Sequence, residues 1–539
     1  FGDEPLALGR PPRWNVDAHS GHAWPLAHHR RIDYRNSARQ SDVKVAWELS
    51  RLRHCVALAQ SVVVLGDEDA LREIEIDVAD WLRCNPLGWS VNWTCAMEVA
   101  LRAVNLICVD AILTAGGRTL RNRAELVASL YQHGWFLARN LEISEVNGNH
   151  FLADAVGLVW LGRWFAGIGE ASAWAARGAE MVREAAREQV LADGLDHEGS
   201  LRYHLLVLEL FCSARAAGGA ALSEIGPAIE RMAVAASAIV GPGGRVPDIG
   251  DDDGGRALAF SDAPSSDGRR VIDLAAALLG GPLEFGDHPE DAIWLVGPQR
   301  RRVRSQTASR PQVLGAGGVV VLGDGGDHVV WDVGPIGFRG IGGHGHVDAM
   351  SFEAHLGGAI AVRDSGTGSY TGDPALRNEL RDGPAHSIAT IDGRAYAQIG
   401  GVDELWRISG DSPPVLLEAG ADDDAQVASA VQRLPRDSEH RRLLRWRRGM
   451  LEVCDEISAP SGARVEVRLQ VPEDCSADGA QYATARHAYR VEPPSRAAVE
   501  LVACRASAGY GTVGAGRRIV VSWTSPGGSS GLRWLISTR

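Results

Sequence analysis

Lysine is almost missing from this chain. Of 55 basic residues, Lys44 is the single lysine and arginine supplies the rest. The formal net charge is −13, which disfavours long-range attraction of nucleic acid and other polyanions. No apolar run has the length of a membrane span, and no fixed sequence period points to a solenoid of uniform repeats. We therefore expect neither nucleic acid nor a membrane as a partner.

Disulfide and zinc-finger patterns are also missing. The eight cysteines form no C-x-x-C pair, and five of them lie in the first half of the chain, mostly among apolar neighbours. This spacing indicates free, buried thiols. Residue 1 is Phe rather than Met, so we expect a soluble bacterial protein that is secreted or periplasmic if a leader was removed, and cytoplasmic otherwise.

The chain length indicates more than one domain, because 539 residues exceed the size at which a single core keeps growing. From about residue 43 to 240, apolar residues recur at three- and four-residue spacing, which is typical of helices packed in layers. After a Pro/Gly/Asp-rich passage near 241–256 and a last helix near 270–279, β-branched residues alternate between turn signals. This change predicts a helical domain over 1–296 and an antiparallel β-sandwich over 297–539.

Most of the candidate metal-binding and catalytic residues lie at 342–386, in the segments GGHGHVDAMSF, AVRDSGTGSY and RNELRDGPAHS. Two histidines and one aspartate from separate strands can occupy three coordination positions of a metal ion and leave the fourth for water. His346, Asp364 and His386 suit that role, with zinc as the first choice and manganese or calcium as alternatives. His344 shares a strand face with His346, so it would lie beside the ion. The competing interpretation is a chance set of solvated strand residues.

The same region resembles the carboxyl-terminal core of the heparinase II/III type of polysaccharide lyase. The family form H-x-H-x-D-x-(L/M)-S-F, D-x-G-T-x-x-Y and R-x-x-x-R-x-x-x-x-H matches segments 344–352, 364–370 and 377–386. The chain departs from it at Ser387, where the family usually has Asn. In the first half, VNGNHFLADAVGLVWLGRWF resembles N-H-x-x-x-(D/N)-x-x-G, and DGLDHEGSLRYHLLVLE resembles D-G-x-x-x-E-x-S-x-x-Y-H.

The resemblance implies an α/α toroid followed by a β-sandwich, with the active site in the cleft between them. It also implies β-elimination on an acidic polysaccharide or oligosaccharide that contains uronic acid. A glycosaminoglycan is the first choice, and alginate or a bacterial exopolysaccharide is the alternative. Asn149 would donate a hydrogen bond to the uronate carboxylate. Tyr203 would be a shared acid and base, with a pKa lowered by nearby cations, and His150 or His344 would be the base in anti elimination.

Six residues are predicted to contact the substrate. Arginine binds carboxylate or sulfate in a bidentate manner, tryptophan can stack on sugar rings, and the other candidates lie in segments that resemble the family. The six are Asn85, Trp93, Arg102, Glu198, Arg377 and Arg381. The competing interpretation is that arginine is abundant through codon usage and that tryptophan belongs to the core.

Two other classes of function fit the sequence. A glycoside hydrolase on the same toroid would use two carboxylates from Asp193, Asp196, Glu198 or the run 251–253. A non-catalytic polysaccharide-binding protein would keep the cleft without the chemistry. The products separate these classes, because only a lyase produces an ultraviolet-absorbing unsaturated uronate.

Overall fold

The first half of the chain is helical in the structure, a computed structural model that describes residues 9–35, 37–39, 41–300, 311–410, 412–422, 424–478 and 481–539. Its helices are α1 (Val43–Ser50), α2 (Arg53–Leu65), α3 (Glu68–Cys84), α4 (Ala96–Ala115), α5 (Arg123–Leu137), α6 (Asn149–Trp164), α7 (Ala171–Glu188), α8 (Leu201–Gly218), α9 (Gly226–Ile239), α10 (Arg269–Leu278) and α11 (Glu290–Val296). Helix α6 packs against α4, α7 and α8, so nearly all of its apolar residues are buried.

Local signals set the helix starts. The Asp42 side chain accepts the Lys44 backbone N–H at the start of α1, and Asp67 does the same for Asp69 and Ala70 in α3. One apolar pattern is broken, however. The periodic stretch over 44–64 forms two helices, α1 and α2, because Leu52 between them has a left-handed backbone with φ 55°.

The second half consists mainly of antiparallel sheets. Its strands are β1 (Gln312–Leu314), β2 (Val319–Leu322), β3 (His328–Asp332), β4 (Phe352–Leu356), β5 (Ala359–Val362), β6 (Ala389–Ile391), β7 (Gln398–Ile399), β8 (Ile408–Ser409), β9 (Val415–Ala421), β10 (Gln426–Leu434), β11 (Ser438–Arg447), β12 (Met450–Ala459), β13 (Arg464–Val471), β14 (Ser476–Asp478), β15 (Gln481–Ala483), β16 (His487–Glu492), β17 (Ala498–Gly509), β18 (Thr512–Thr524) and β19 (Gly528–Thr538). One short helix, α12 (Pro374–Arg381), lies among them. The strand orders are β1-β2-β3-β4-β5, β14-β15-β16-β19-β12-β11-β10-β9, β17-β18-β13-β6 and β7-β8.

The five-stranded sheet joins the two halves. Successive side chains of a strand point to opposite faces, and in β2 both faces are buried. Val319 and Val321 belong to the helical core, whereas Val320 and Leu322 belong to the core of the sandwich. This sheet therefore packs on both halves, which brings side chains from the helices and from the sandwich together.

Three sequence-based expectations can be compared with this architecture. A helical half followed by antiparallel sheets agrees with the predicted fold class, and all eight cysteines are free, as predicted. The predicted division at residue 297 falls directly after α11 and stays a prediction, since 301–310 lie outside the described ranges. By length and composition Leu201–Ile239 could cross a membrane, but 67% of its most apolar window is buried inside the protein, as in a core helix.

Candidate active site

Three predicted catalytic side chains meet between the two halves. Asn149 is the first residue of α6, and Tyr203 lies in the first turn of α8, where the Ser200 hydroxyl accepts its backbone N–H at 3.1 Å. His344 comes from the connection between β3 and β4 of the sandwich. Its ring stacks on Tyr203, with centroids 3.8 Å apart and an interplanar angle of 17°. Side chains separated by almost two hundred positions thus lie in one small volume.

Glu198 connects these groups. Its carboxylate accepts the Asn149 backbone N–H at 2.5 Å, the Asn149 amide at 2.9 Å and His344 Nδ1 at 2.6 Å. Burial opposes ionisation, but His344 and other partners hold the pKa of Glu198 below its usual range. An ionised carboxylate only accepts, so Nδ1 of His344 carries a proton, and Nε2 has no hydrogen-bond partner among the described residues. Glu198 is fully buried in this state and positions its two neighbours, and its contact with substrate stays a prediction.

Gly148 makes this contact sterically feasible. A Cβ at this position would collide with the Glu198 carboxylate and with the Phe338 ring. Because glycine has no side chain, the carboxylate can reach the backbone N–H of Asn149. The close approach of Glu198 therefore requires glycine at the first position of the G-N-H sequence.

A second phenol lies beside Tyr203. The Tyr203 and Tyr370 hydroxyls are 3.0 Å apart, and the Arg377 guanidinium lies 4.4 Å from the centroid of the Tyr370 ring. Burial, followed by the charges of Asp253 and Asp251, raises the pKa of Tyr203 well above its usual range, and burial does the same for Tyr370. The predicted lowering of the Tyr203 pKa is therefore wrong. Both phenols are neutral in this state and can donate protons.

His150 follows Asn149 in α6 and is partly exposed, and we call its surroundings the rim region. Its Nδ1 lies 3.1 Å from Glu142 Oε2 and 3.7 Å from Cys95 Sγ, and 45% of its side chain is exposed. Burial acts to lower the His150 pKa, but the Glu142 carboxylate outweighs it and raises the pKa well above its usual range. A protonated imidazole has no free lone pair to take a proton. This geometry favours a cationic role for His150 over the predicted role as base.

The residues around the predicted metal site are also gathered. Ligand atoms of His346, Asp348 and His386 lie within 4.8 Å of one another, and all three residues are buried. Asp364, predicted as a ligand, accepts His386 Nδ1 at 2.7 Å, and Asp251 pairs with His346 Nε2 at 2.9 Å. The structure thus adds Asp348 to the group and places Asp364 against His386.

The remaining ring nitrogens fit a metal ion. His346 Nδ1 and His386 Nε2 are buried and have no hydrogen-bond partner among the described residues. Buried polar atoms are rarely left in that state without a ligand or an ordered water. An imidazole whose second nitrogen bonds a carboxylate is the common arrangement of a metal-bound histidine. His346, Asp348 and His386 can therefore bind a divalent ion, with Asp364 and Asp251 supporting the two histidines. Two nitrogen donors suit zinc better than calcium.

The predicted substrate contacts in the helical half lie in its core. Asn85, Trp93 and Arg102 are 2%, 1% and 0% exposed. The Arg102 guanidinium donates to His133 Nε2 at 3.0 Å and to the Asn92 carbonyl at 3.1 Å. Buried polar groups need such partners, and the protein supplies them to Nε and Nη2, whereas the buried Nη1 has none among the described residues. The three side chains are packed in the helical core in this state, and their contact with substrate stays a prediction.

The two arginines of α12 are also structural. Arg377 makes a bidentate pair with Asp251, at 2.8 and 2.9 Å, and is fully buried. Arg381 donates to the carbonyls of Leu405 and Gly342. Both side chains tie α12 to the loops around His344 in this state, and their contact with substrate stays a prediction. The sequence shows their spacing but not the direction in which the side chains point.

The carboxylates required for a glycoside hydrolase are engaged elsewhere. Asp193 accepts backbone N–H groups of the β1–β2 turn at 2.7 and 2.8 Å, and Asp251 is paired as described. Asp196 is buried and accepts the backbone N–H of Glu198 at 3.2 Å, while Asp253 pairs with Lys44 at 2.8 Å. This arrangement gives no support for a pair of free acid and base carboxylates.

Comparison with known proteins agrees with this geometry. The heparinase II/III N-terminus family matches residues 15–252, and the heparinase II/III-like C-terminal family matches residues 306–534. A heparin-sulfate lyase of Pedobacter heparinus is 28% identical over 179 residues, which are 32% of this chain and 27% of that protein. One of Bacteroides stercoris is 25% identical over 218 residues, or 36% of this chain and 32% of that protein. The chain thus matches less than a third of the length of each.

Solved structures show the same architecture. A heparinase III has a TM-score of 0.70 at 15% identity, covering 91% of this chain and 76% of that one. A heparan sulfate lyase of Pedobacter heparinus has a TM-score of 0.64 at 20% identity, covering 100% and 80%. At such identities the likeness establishes the fold, and it confirms the predicted toroid followed by a sandwich. Since the two family models together span most of its length, the chain belongs to the heparinase II/III family.

Proposed function

We propose that this protein is a polysaccharide lyase that cleaves a uronic-acid-containing polysaccharide by β-elimination and leaves a 4,5-unsaturated uronate. The observation that carries the proposal is the meeting of Asn149 and Tyr203 from the helical half with His344 from the sandwich, around one buried carboxylate. The names of the two similar lyases make heparan sulfate the first polymer to test.

The first requirement of the reaction is removal of the C5 proton, which lies α to the uronate carboxylate. That proton becomes acidic when the negative charge of the carboxylate is offset. The Asn149 amide nitrogen contacts both Glu198 oxygens, at 3.2 and 2.9 Å, and we expect one of its two hydrogens to turn to the uronate carboxylate when substrate binds. The His150 cation on the rim adds a positive charge. His344 Nε2, the free nitrogen, then accepts the C5 proton.

The second requirement is a proton for the leaving oxygen O4. As the C5–H electrons form the C4–C5 double bond, the C4–O4 bond breaks and O4 accepts the proton of Tyr203. The Tyr370 hydroxyl, 3.0 Å away, can stabilise the resulting phenolate. Because the rings of Tyr203 and His344 are in contact, they can reach the neighbouring C5 and O4 positions of one sugar.

The metal has a supporting role in this proposal. His346, Asp348 and His386, backed by Asp364 and Asp251, would hold one zinc ion, which would cross-link the loop that carries His344. Arg377 and Arg381 brace the same loop from α12. The proton transfers themselves depend on side chains alone.

Substrate entry requires movement. Tyr203 and His344 are only 5% and 8% exposed, so a sugar cannot reach both in this state. Lids and domain interfaces of enzymes commonly open by hinge motion. We expect the helical and sandwich walls to separate before binding and to close over the sugar.

The test is a screen for ultraviolet-absorbing product with heparan sulfate, chondroitin sulfate, hyaluronan, alginate and glucuronan. A lyase produces a rise in absorbance from the unsaturated uronate with at least one polymer. New reducing ends without absorbance would replace the proposal by hydrolysis. Binding with neither product would replace it by a polysaccharide-binding function.

A further inference from the structure

A group of potential metal ligands lies on the rim of the cleft, apart from the histidine and aspartate group of the sandwich. Cys95 caps the amino-terminal end of α4, Glu142 lies between α5 and α6, and His150 is in the first turn of α6. The distances are 3.4 Å from Cys95 Sγ to Glu142 Oε2, 3.7 Å from Sγ to His150 Nδ1, and 3.1 Å from Nδ1 to Oε2. One sulfur, one nitrogen and one oxygen therefore converge on one point.

These separations match the edges of a tetrahedral zinc site. Zinc bonds of about 2.0–2.2 Å to nitrogen and oxygen and about 2.3 Å to sulfur predict an N···O edge of about 3.4 Å and edges to sulfur of about 3.6 Å. Each observed distance lies within about 0.3 Å of those values. The backbone N–H of Met97 also donates to Glu142 Oε2 at 2.9 Å, which holds the carboxylate in place.

Charge and access both suit a cation. A thiolate and a carboxylate together neutralise a divalent ion, and the neutral imidazole completes three positions. Burial, followed by the Glu142 charge, raises the pKa of the Cys95 thiol to about 12, so the thiol keeps its proton until a cation displaces it. Since 45% of the His150 side chain is exposed, an ion can enter from the cleft and keep its fourth position for solvent.

We propose that Cys95, Glu142 and His150 form a second metal site, which binds one thiophilic divalent ion such as Zn²⁺ or Cd²⁺ and thereby inhibits the enzyme. On binding, the Cys95 thiol and the His150 imidazolium each release one proton to solvent. The ion then binds the His150 nitrogen, so His150 can no longer act as the cation that offsets the charge of the substrate carboxylate. The inhibition, but not the binding, rests on the proposed lyase function.

A second thiol in the helical half has similar neighbours and must be controlled. In α2, His54 Nε2 lies 2.9 Å from Asp77 Oδ2 and 3.5 Å from the fully buried Cys55 Sγ. We therefore place the test in a Cys55→Ser background, which removes that sulfur. The ligands of the sandwich group are nitrogen and oxygen, so they give no sulfur-to-metal absorption.

The probe is Cd²⁺ alone, titrated while the ultraviolet charge-transfer band between thiolate and cadmium is recorded. We expect one equivalent of band per chain in the Cys55→Ser background. Added Cys95→Ser abolishes it. Added Cys108→Ser retains it, because Cys108 lies on the same helix and its pKa is likewise raised by burial to about 12. A folded Cys95→Ser protein that keeps the band, or a background protein that shows none, overturns the proposal.

Glu142→Gln is a second variant that leaves the thiol in place. Because it removes a ligand, it should weaken Cd²⁺ binding by more than the roughly 10–100-fold cost of losing a supporting partner. Unchanged affinity would exclude Glu142 from the site. Turnover is then followed against Zn²⁺, with each variant compared with its own uninhibited rate. A cadmium band without inhibition refutes the inhibitory role. Absence of turnover on every uronate polymer refutes the proposed lyase function. In that case the cadmium band still shows whether the metal site exists.

Discussion

Two regions of the cleft contain the same chemical pair, an imidazole beside a glutamate, and use it differently. In the deep region, Glu198 is fully buried and fixes both the tautomer of His344 and the position of Asn149. In the rim region, Glu142 and His150 have 27% and 45% of their side chains exposed. Here the Glu142 carboxylate raises the pKa of His150 and keeps its imidazole protonated. The comparison teaches that burial, rather than residue type, separates a glutamate that positions its neighbours from one that keeps a partly exposed imidazole charged.

The largest expected effect is in the deep region. Tyr203→Phe removes the proton donated to O4, so turnover should fall by about 10²–10⁴-fold, while substrate binding persists. Rates of product absorbance and a binding measurement check this. Tyr482→Phe is the matched control, because its hydroxyl bonds only the Val499 carbonyl in the sandwich. Near-normal turnover of Tyr203→Phe would remove Tyr203 from the mechanism.

The next effect concerns Glu198, and the same substitution at Glu142 is described below for comparison. Glu198→Gln keeps the size of the side chain but removes the charge that orients His344, so kcat should fall by about 10²-fold with a smaller change in KM. The pH profile should change as well, because the His344 tautomer is no longer fixed. Glu180→Gln on an exposed helix position should change neither. An unaltered pH profile for Glu198→Gln would refute its positioning role.

The third effect concerns the metal group of the sandwich. His346→Ala should abolish binding of the proposed ion and lower the unfolding temperature, since an ion at about 100 times its Kd stabilises the fold by about 2.7 kcal/mol. Elemental analysis and thermal unfolding measure both changes. A chelator should lower the unfolding temperature of the wild type and leave that of His346→Ala unchanged. Wild-type protein purified without chelator and free of stoichiometric metal would contradict the assignment.

The smallest effect is on the rim. Glu142→Gln should cost only about 0.2–1 kcal/mol of unfolding free energy, because the pair is partly solvated. The Glu142 pKa is lowered to about 2, so its contribution is present above the unfolded pKa of about 4.3 and is lost as the pH falls through the folded value. The His150 pKa is raised, so its contribution is full below about 6.5 and is lost as the pH rises through the folded value.

The difference in stability between wild type and Glu142→Gln should therefore be largest between about pH 4.3 and 6.5. Denaturant unfolding at several pH values measures it. The pKa of His150, followed by NMR, should fall in the variant. A difference that does not change with pH would mean that the two side chains are not electrostatically coupled.

Short-range patterns were sufficient for much of the fold. Apolar spacing located the helices, because one face of each helix must be buried, and β-branched alternation located the strands. The break at Leu52 was missed, since periodicity continues through a single left-handed residue. Tyr370 was also missed as a partner of Tyr203, although it lies in the matched motif, because its role depends on a residue of the other half.

What the sequence by itself determined is the order of the two halves, the family motifs and the residue types that meet in the cleft. Only the tertiary structure decided their roles. Arg377 and Glu198 are as polar as any surface residue, yet packing turns both inward, where Arg377 pairs with Asp251 and Glu198 accepts hydrogen bonds from Asn149 and His344. Direction, burial and pKa depend on contacts between residues far apart in the chain, and these exist only after the helices and the sandwich have closed on each other.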